Sequence, residues 1–221
     1  RPAKVFVKPV DGMGGFGIYV FGRDERGGYR LRDGGTLDGE FLARIGREKD
    51  YIIQPGLEQD PQISEIYPHS VNTFRILTEN LKGEARVLLA NLRIGRAGLE
   101  VDNSAQDNII LPINAATGET GAFAATETGE RFIIHPDTGF VFQGARIQRW
   151  PEVMEFTVAA AQKMQQFIYL GWDIALTRGG PVAIETNLNF GLEHYQAVLG
   201  GIRRVLGIED PSFYWRNRGK R

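Results

Sequence analysis

Residues 171–187 read GWDIALTRGGPVAIETN, two apolar stretches joined by a glycine-containing turn. This pattern predicts a β-hairpin whose strands cover Tyr169–Leu176 and Pro181–Glu185, with the turn at residues 177–180. Adjacent strands joined by so short a turn must run antiparallel. The segment therefore predicts that this part of the chain belongs to an antiparallel sheet.

Three oxygen-bearing side chains interrupt the apolar pattern of this hairpin. Glu185 and Asn187 lie two residues apart, so they project from one face of their strand. A turn centred on residues 178–179 places Asp173 opposite the region of Glu185, and oxygen donors without His or Cys favour Mg²⁺ or Mn²⁺. The alternative is an ordinary polar hairpin face, but Asp and Asn form strands poorly and stand here within apolar runs. We therefore predict a metal site at Asp173, Glu185 and Asn187.

The glycine-rich segment GMGGFG, residues 12–17, suggests a second site. A dinucleotide-binding fold would need a helix directly after the glycines, whereas residues 18–21 have the pattern of a strand; a Walker A loop would need Gly-Lys-Ser/Thr. A glycine flap between two strands can instead cover a triphosphate, because backbone N–H groups approach the phosphates closely where there is no Cβ. We predict phosphate contacts from Gly12, Gly14, Gly15 and Gly17.

Lys8 precedes this flap in the predicted strand Lys4–Pro9. Strand alternation would place its ammonium group on the nucleotide side, where it can neutralise phosphate charge. Taken alone, Lys8 could equally be an exposed surface lysine. The lysine gains its meaning from the flap and from the acidic hairpin.

The remaining pattern predicts an α+β protein with antiparallel sheets and packed helices. Further predicted strands are 17–21, 28–31, 51–53, 70–78, 84–96 and 109–113. Helices are predicted over 37–45 with Thr36 as the cap, after Pro151, and over about 192–205. No internal repeat or low-complexity linker is visible, so two closely packed lobes fit better than separate domains.

Composition excludes several classes of function. The 26 basic and 27 acidic residues leave a net charge of −1, so no general field attracts nucleic acid or acidic membranes. The absence of cysteine removes thiol nucleophiles and thiolate zinc sites, and we interpret the three histidines, His69, His135 and His194, as structural. No run is long enough to cross a bilayer, so we expect a cytoplasmic protein, without a nucleic-acid or membrane partner.

These pieces, in this order, resemble the ATP-grasp superfamily. The resemblance rests on FVKP at residues 6–9, the glycine flap, a hinge strand and the acidic hairpin. Five longer motifs resemble the branch of that superfamily associated with sugar transfer: SVNTFRI at 70–76, VDN at 101–103, HPDTG at 135–139, RWPE at 149–152 and GWDI at 171–174.

The resemblance implies a two-lobed ATP-grasp fold with the nucleotide between the lobes, the smaller lobe at residues 1–60 and the larger at 61–221. It implies that YIIQPGL, residues 51–57, is the adenine hinge, with cofactor contacts at Gln54, Gly56 and Leu57 and a ribose contact at Glu58 or Asp60. It also implies catalytic roles for Arg75, Arg93 and Asn103. The superfamily's usual N-terminal domain is absent from this sequence.

Two departures concern substrate contacts. The segment SAQDN at 104–108 lacks the paired glycines of many relatives, and NLNFG at 187–191 replaces their proline-glycine turn. The implied activity is an ATP- and Mg²⁺-dependent carboxylate–amine ligase acting through an acyl phosphate, in polysaccharide or sugar-conjugate biosynthesis. An ATP-grasp phosphotransferase and an inactive ATP-binding module are the alternatives. Sugar acids, amino acids and peptides remain open as substrates, and so does the oligomeric state.

Overall fold

The computed structural model describes residues 2–11, 16–99, 108–203 and 205–207. Its elements form two antiparallel sheets and four helices, as the α+β prediction requires. The smaller sheet has the order β3-β2-β1-β4, with β1 at Lys4–Pro9, β2 at Tyr19–Arg23, β3 at Tyr29–Arg30 and β4 at Tyr51–Pro55. The predicted boundary between lobes at residue 60 stays a prediction.

Helix α1, Gly39–Ile45, closes the core of the smaller sheet. Phe41 and Ile45 are buried against Val7 and Phe21, with the Phe21 and Phe41 rings 5.1 Å apart in an edge-to-face arrangement. The prediction of Thr36 as the helix cap is wrong. Asp38 accepts the backbone N–H of Phe41 at 2.8 Å, whereas Thr36 belongs to a β-bridge with Arg30.

The larger sheet has the order β11-β10-β5-β6-β7-β8-β9. Its strands are β5 at Thr73–Leu81, β6 at Glu84–Ile94, β7 at Ile109–Ile113, β8 at Ala124–Ala125, β9 at Arg131–Phe132, β10 at Tyr169–Thr177 and β11 at Gly180–Asn187. Helices α2, Pro61–Ile66, α3, Trp150–Gln162, and α4, Leu192–Leu199, accompany it. The two predicted hairpins, β5 with β6 and β10 with β11, are confirmed.

The two faces of the larger sheet carry different layers. One face holds the main hydrophobic core, where Phe74 and Ile174 are buried together with the apolar side of α3. The opposite face carries Leu77 and Leu89, which pack against Tyr195 of α4. Because side chains alternate along a strand, the residues between the core positions must all point toward the α4 side.

Three elements depart from the sequence expectations. Helix α4 ends at Leu199 and not near residue 205, because Gly200 adopts a φ of 73°, outside the helical region. Helix α2 was not predicted, although Asp60 followed by Pro61 is a known helix start. Strand β8 has two residues, too few for a recognisable pattern. In the described part of the chain, no helix is long and apolar enough to cross a membrane.

His135 ties two loops together from inside the larger lobe. Its ring is fully buried, and Nε2 donates to the carbonyl of Gly95 at 2.9 Å. Nδ1 accepts the backbone N–H groups of Asp137 at 3.2 Å and Thr138 at 3.3 Å. These contacts require the neutral ring, because a protonated Nδ1 would face two donors. Burial lowers the pKa of His135, against the opposing effect of the Gly95 carbonyl.

We predict that His135 makes the fold sensitive to mild acid. Its pKa is about 6.5 when unfolded and lower when folded, so stability is full above pH 6.5 and is lost as the pH falls. The loss should reach up to about 1.4 kcal/mol per pH unit within that window. Urea unfolding at pH 7.5, 6.5 and 5.5 measures it. His135→Gln, which cannot titrate, should flatten the profile, and an unchanged slope would contradict the assignment.

Candidate functional site

The β10–β11 hairpin brings the predicted metal ligands to one edge of the larger sheet. Asp173 is the direct partner of Glu185, and Gly171 is the partner of Asn187, which confirms the predicted register. A register shift follows between Asp173 and Ile174. The bulge ends the regular ladder beside Asp173, a position where strands commonly redirect a side chain.

Asp173 is buried and holds two arginines. Oδ1 lies 2.6 Å from Nε of Arg75, and Oδ2 accepts from one amino group of Arg75 at 3.1 Å. An amino group of Arg93 donates to the same Oδ2 at 3.2 Å. Arg75 faces Asp173 across β5–β10, and Arg93 faces Thr73 across β5–β6, so all three side chains point to the α4 side. The sheet register therefore assembles this charge cluster.

The burial of Asp173 shapes its acidity. Burial raises the pKa of its carboxyl to about 7, against the opposing charges of Arg93 and Arg75. Burial also raises the pKa of Glu185, but hydrogen bonds with Asn187 and Asp173 outweigh it and leave that pKa lowered. At neutral pH the acidic pair can therefore carry one to two negative charges, which suits a cation with positive charge above one.

Glu185 and Asn187 form the rim above Asp173. Glu185 is exposed, and the Asn187 amide nitrogen donates to its Oε1 at 3.0 Å. The described residues contain no group of three His, Cys, Asp or Glu around a common point, so a third protein ligand here has to be the Asn187 amide oxygen. Two carboxylates and one amide fit a hard divalent cation that also keeps other oxygen ligands. Arg75 and Arg93 compete with such a cation for Asp173.

One face of the smaller sheet carries Lys8. Val5 and Val7 of β1 are buried, whereas Lys4, Phe6 and Lys8 alternate with them on the other side. The Lys8 ammonium lies 5.6 Å from the centre of the Phe6 ring. This face is half-exposed and combines an aromatic ring with positive charge, as a nucleotide-binding face requires.

The predicted adenine hinge is an edge strand. β4 pairs with β1 on one side and with no other strand of its sheet. The Gly56 N–H donates to the carbonyl of Lys4 at 2.7 Å, and a Cβ at Gly56 would lie 2.9 Å from the Lys4 Cβ. Because backbone groups alternate in direction, those of Pro55 and Leu57 point away from β1. Gly56 thus permits close strand contact, and its neighbours present the open edge.

The segment after the hinge joins the two sheets. The Asp60 N–H donates to the Leu176 carbonyl at 2.9 Å, and the Arg178 N–H donates to the Glu58 carbonyl at 3.3 Å. The Asp60 side chain is occupied, because it caps α2 at Gln62 and binds Arg149 at 3.0 Å. The Glu58 side chain is exposed. Of the two predicted ribose contacts, this geometry favours Glu58.

A cavity of about 510 Å³ is lined by residues of both sheets. Val20, Gly22, Arg30 and Arg32 come from the smaller sheet and its loops, and His69 and Gly98 come from loops that flank β5 and β6. Its lining includes two guanidinium groups and no carboxylate. The charge of the lining suits an anionic ligand.

The predicted site residues fall into three groups. Arg75, Arg93, Asp173, Glu185 and Asn187 lie together on the larger sheet, and Lys8, Gln54, Gly56, Leu57 and Glu58 lie on or beside β1 and β4. Gly17 is exposed with a φ of 75°, which suits a flap glycine. Gly12, Gly14, Gly15 and Asn103 lie outside the described residues.

Sequence reasoning missed two polar residues close to the charge cluster. Asn91 lies directly opposite Arg75 on β6, and Tyr195 comes from α4. Asn91 interrupts an apolar strand in the same way as Asp173 does, so the same signal could have found it. Tyr195 gives no such signal, because a tyrosine on the apolar side of a helix is an ordinary core residue.

Comparison with known proteins gives one match. A family model described as sugar-transfer associated ATP-grasp matches residues 1–206, nearly the whole chain. No curated protein matches the chain.

We predict that Asp173 is essential for stability as well as for any cation. In Asp173→Asn, two buried guanidinium groups lose their counter-charge, so the free energy of unfolding should fall by about 3 to 5 kcal/mol. Urea unfolding at pH 8, where the carboxyl is ionised, measures the loss. The exposed Glu185→Gln is the control and should change stability by less than about 1 kcal/mol. Equal losses in both variants would contradict the buried charge cluster.

Proposed function

The chain belongs to the sugar-transfer associated ATP-grasp family, and from this we propose that it is an ATP- and Mg²⁺-dependent carboxylate–amine ligase. The observation that carries the proposal is the convergence of two carboxylates, one amide and two arginines at one edge of the larger sheet. Binding a nucleotide alone rarely needs both metal ligands and phosphate-binding arginines.

In this proposal Asp173, Glu185 and Asn187 hold Mg²⁺. The bound cation supplies charge neutralisation for the triphosphate and for the phosphoryl group during transfer. Glu185 and Asn187 at the rim are accessible from solvent, while Asp173 anchors the site from the buried side. Depth of burial thus divides the labour between entry and anchoring.

The nucleotide lies between the two sheets in this proposal. Lys8 and the glycine flap bind the phosphates, and the open edge of β4 offers the Pro55 carbonyl and the Leu57 N–H to adenine. A carbonyl acceptor beside an N–H donor matches the donor and acceptor pattern of the adenine edge. Glu58, next to this edge, accepts hydrogen bonds from the ribose hydroxyl groups.

The two arginines handle the anionic groups that react. An oxygen of the substrate carboxylate attacks the γ-phosphorus of ATP, the bond to the β-phosphate oxygen breaks, and ADP leaves. Arg75 and Arg93 stabilise the charge on the transferred phosphoryl group and orient the carboxylate. An amine then attacks the acyl phosphate, and inorganic phosphate and a proton are released. No protein nucleophile is needed, which agrees with a chain without cysteine.

One observation favours a different candidate, an inactive ATP-binding module. Both oxygens of Asp173 already contact arginines, so the cluster could be satisfied without a cation. The phosphotransferase alternative shares every site residue with the ligase and differs only in the fate of the phosphorylated product. Binding and product measurements separate these candidates.

We predict that ATP binding requires Mg²⁺ and the rim ligands. Titration calorimetry with ATP should show binding by the wild type that strengthens with Mg²⁺. In Glu185→Ala combined with Asn187→Ala, the gain from Mg²⁺ should fall at least about tenfold, equal to about 1.4 kcal/mol. Glu155→Ala, an exposed change of equal charge on α3, is the control. Equal ATP affinity with and without Mg²⁺ would support the inactive module.

We also predict that product analysis distinguishes ligase from phosphotransferase. With Mg²⁺ and ATP, a panel of sugar acids, amino acids and short peptides is screened for ADP release. Hydroxylamine attacks acyl phosphates, so a ligase substrate should yield a hydroxamate in step with ADP. A stable phosphorylated product without hydroxamate would support the phosphotransferase, and ADP release that persists in the double variant would argue against both assignments of the rim.

A further inference from the structure

Two fully buried polar side chains near Arg75 have no hydrogen-bond partner within the described ranges. They are Asn91, whose amide nitrogen and oxygen are both unpaired, and Tyr195, whose hydroxyl is unpaired. A buried amide or hydroxyl without a partner costs about 1 to 3 kcal/mol. Neither side chain is explained by the packing around it, because Leu and Phe would fill similar volumes without that cost.

Both side chains lie on the sheet face that carries the charge cluster. Asn91 is the direct cross-strand neighbour of Arg75, so the two project together from that face. Tyr195 packs on Leu77 and Leu89, which follow Arg75 and precede Asn91 by two residues on the same face. The charges of Arg75 and Asp173 act on the Tyr195 hydroxyl, which places it within their electrostatic reach.

Arg75 is the neighbour whose hydrogen bonds have to change if a cation binds. Without a cation, its guanidinium contacts Asp173 at 2.6 and 3.1 Å and reaches the Phe190 carbonyl at 3.5 Å. A divalent cation on Asp173 repels the guanidinium and takes its acceptor oxygens. A buried guanidinium must then find other acceptors, since an unpaired charge in this position is strongly destabilising.

The acceptors that face Arg75 are the Asn91 carbonyl oxygen and the Tyr195 hydroxyl oxygen. We propose that Asn91 and Tyr195 are positioning residues, to which Arg75 donates hydrogen bonds when Asp173 ligates the divalent cation. This arrangement holds the guanidinium in the site and directs it toward the transferred phosphoryl group. The inference rests on the proposed function, because it assumes that Asp173 is a metal ligand.

The test compares stability with and without the cation, and it needs no substrate. Asn91→Leu and Tyr195→Phe are measured by urea unfolding in EDTA and by thermal unfolding with Mg²⁺ and the non-hydrolysable analogue AMP-PNP. Without the cation, both variants should be as stable as the wild type or more stable, because an unpaired polar group is gone. With Mg²⁺ and AMP-PNP, we expect about five- to tenfold weaker apparent binding of the pair.

Asn80→Leu is the matched control, a buried asparagine whose hydrogen bonds are made. Its amide donates to the carbonyls of Ala161, Met164 and Phe167 at 2.9 to 3.2 Å. That variant should lose stability in EDTA and keep the affinity for Mg²⁺ and AMP-PNP. It separates loss of a structural hydrogen bond from loss of a partner that acts in the cation-bound state.

Each remaining outcome decides the question. Loss of stability in EDTA by both test variants, with unchanged binding of Mg²⁺ and AMP-PNP, would mean that ordered water already satisfies the two groups, and it would overturn the inference alone. Normal binding by stable variants would also overturn it and leave the proposed function standing. No stabilisation of the wild type by Mg²⁺ and AMP-PNP would overturn the proposed function, and this inference with it.

Discussion

The buried carboxylate of Asp173 is the constraint on which the larger lobe depends. A charge within a sheet is tolerated only where opposite charges and hydrogen bonds meet it, and here both come from strands far away in sequence. Arg75 arrives on β5 and Arg93 on β6, each by the pairing register of its strand. A slip of one residue in either pairing would turn an arginine into the apolar core and leave Asp173 without its partner.

This constraint explains why the larger sheet has two unlike faces. The core face packs on α3 and contains almost entirely apolar side chains, so it supplies the stability. The opposite face accepts charged and amide side chains because α4 covers them at one end and leaves the rim at Glu185 open. A polar cluster in such a place costs stability, and a protein retains that cost where the cluster serves a function.

The smaller sheet contributes a different kind of site, made of backbone as well as side chains. β4 is an edge strand, a feature that would invite unwanted pairing on an exposed sheet. The chain continues from this edge directly into the segment bonded to the end of β10, so the hinge is fixed to the strand that carries Asp173. The edge of one sheet and the charge cluster of the other are thereby linked through two residues of chain.

The sequence by itself determined the strands and hairpins, the α+β class and the facing of Asp173 and Glu185, because alternation and turn residues act over a few neighbours. It also carried the family motifs. Only the tertiary structure decided that Asp173 is buried between Arg75 and Arg93, that Asp60 is a helix cap, and that Asn91 and Tyr195 stand unpaired beside the cluster. Those features depend on which distant strands and helices come together, and local patterns contain no information about the distance between side chains that are far apart in the chain.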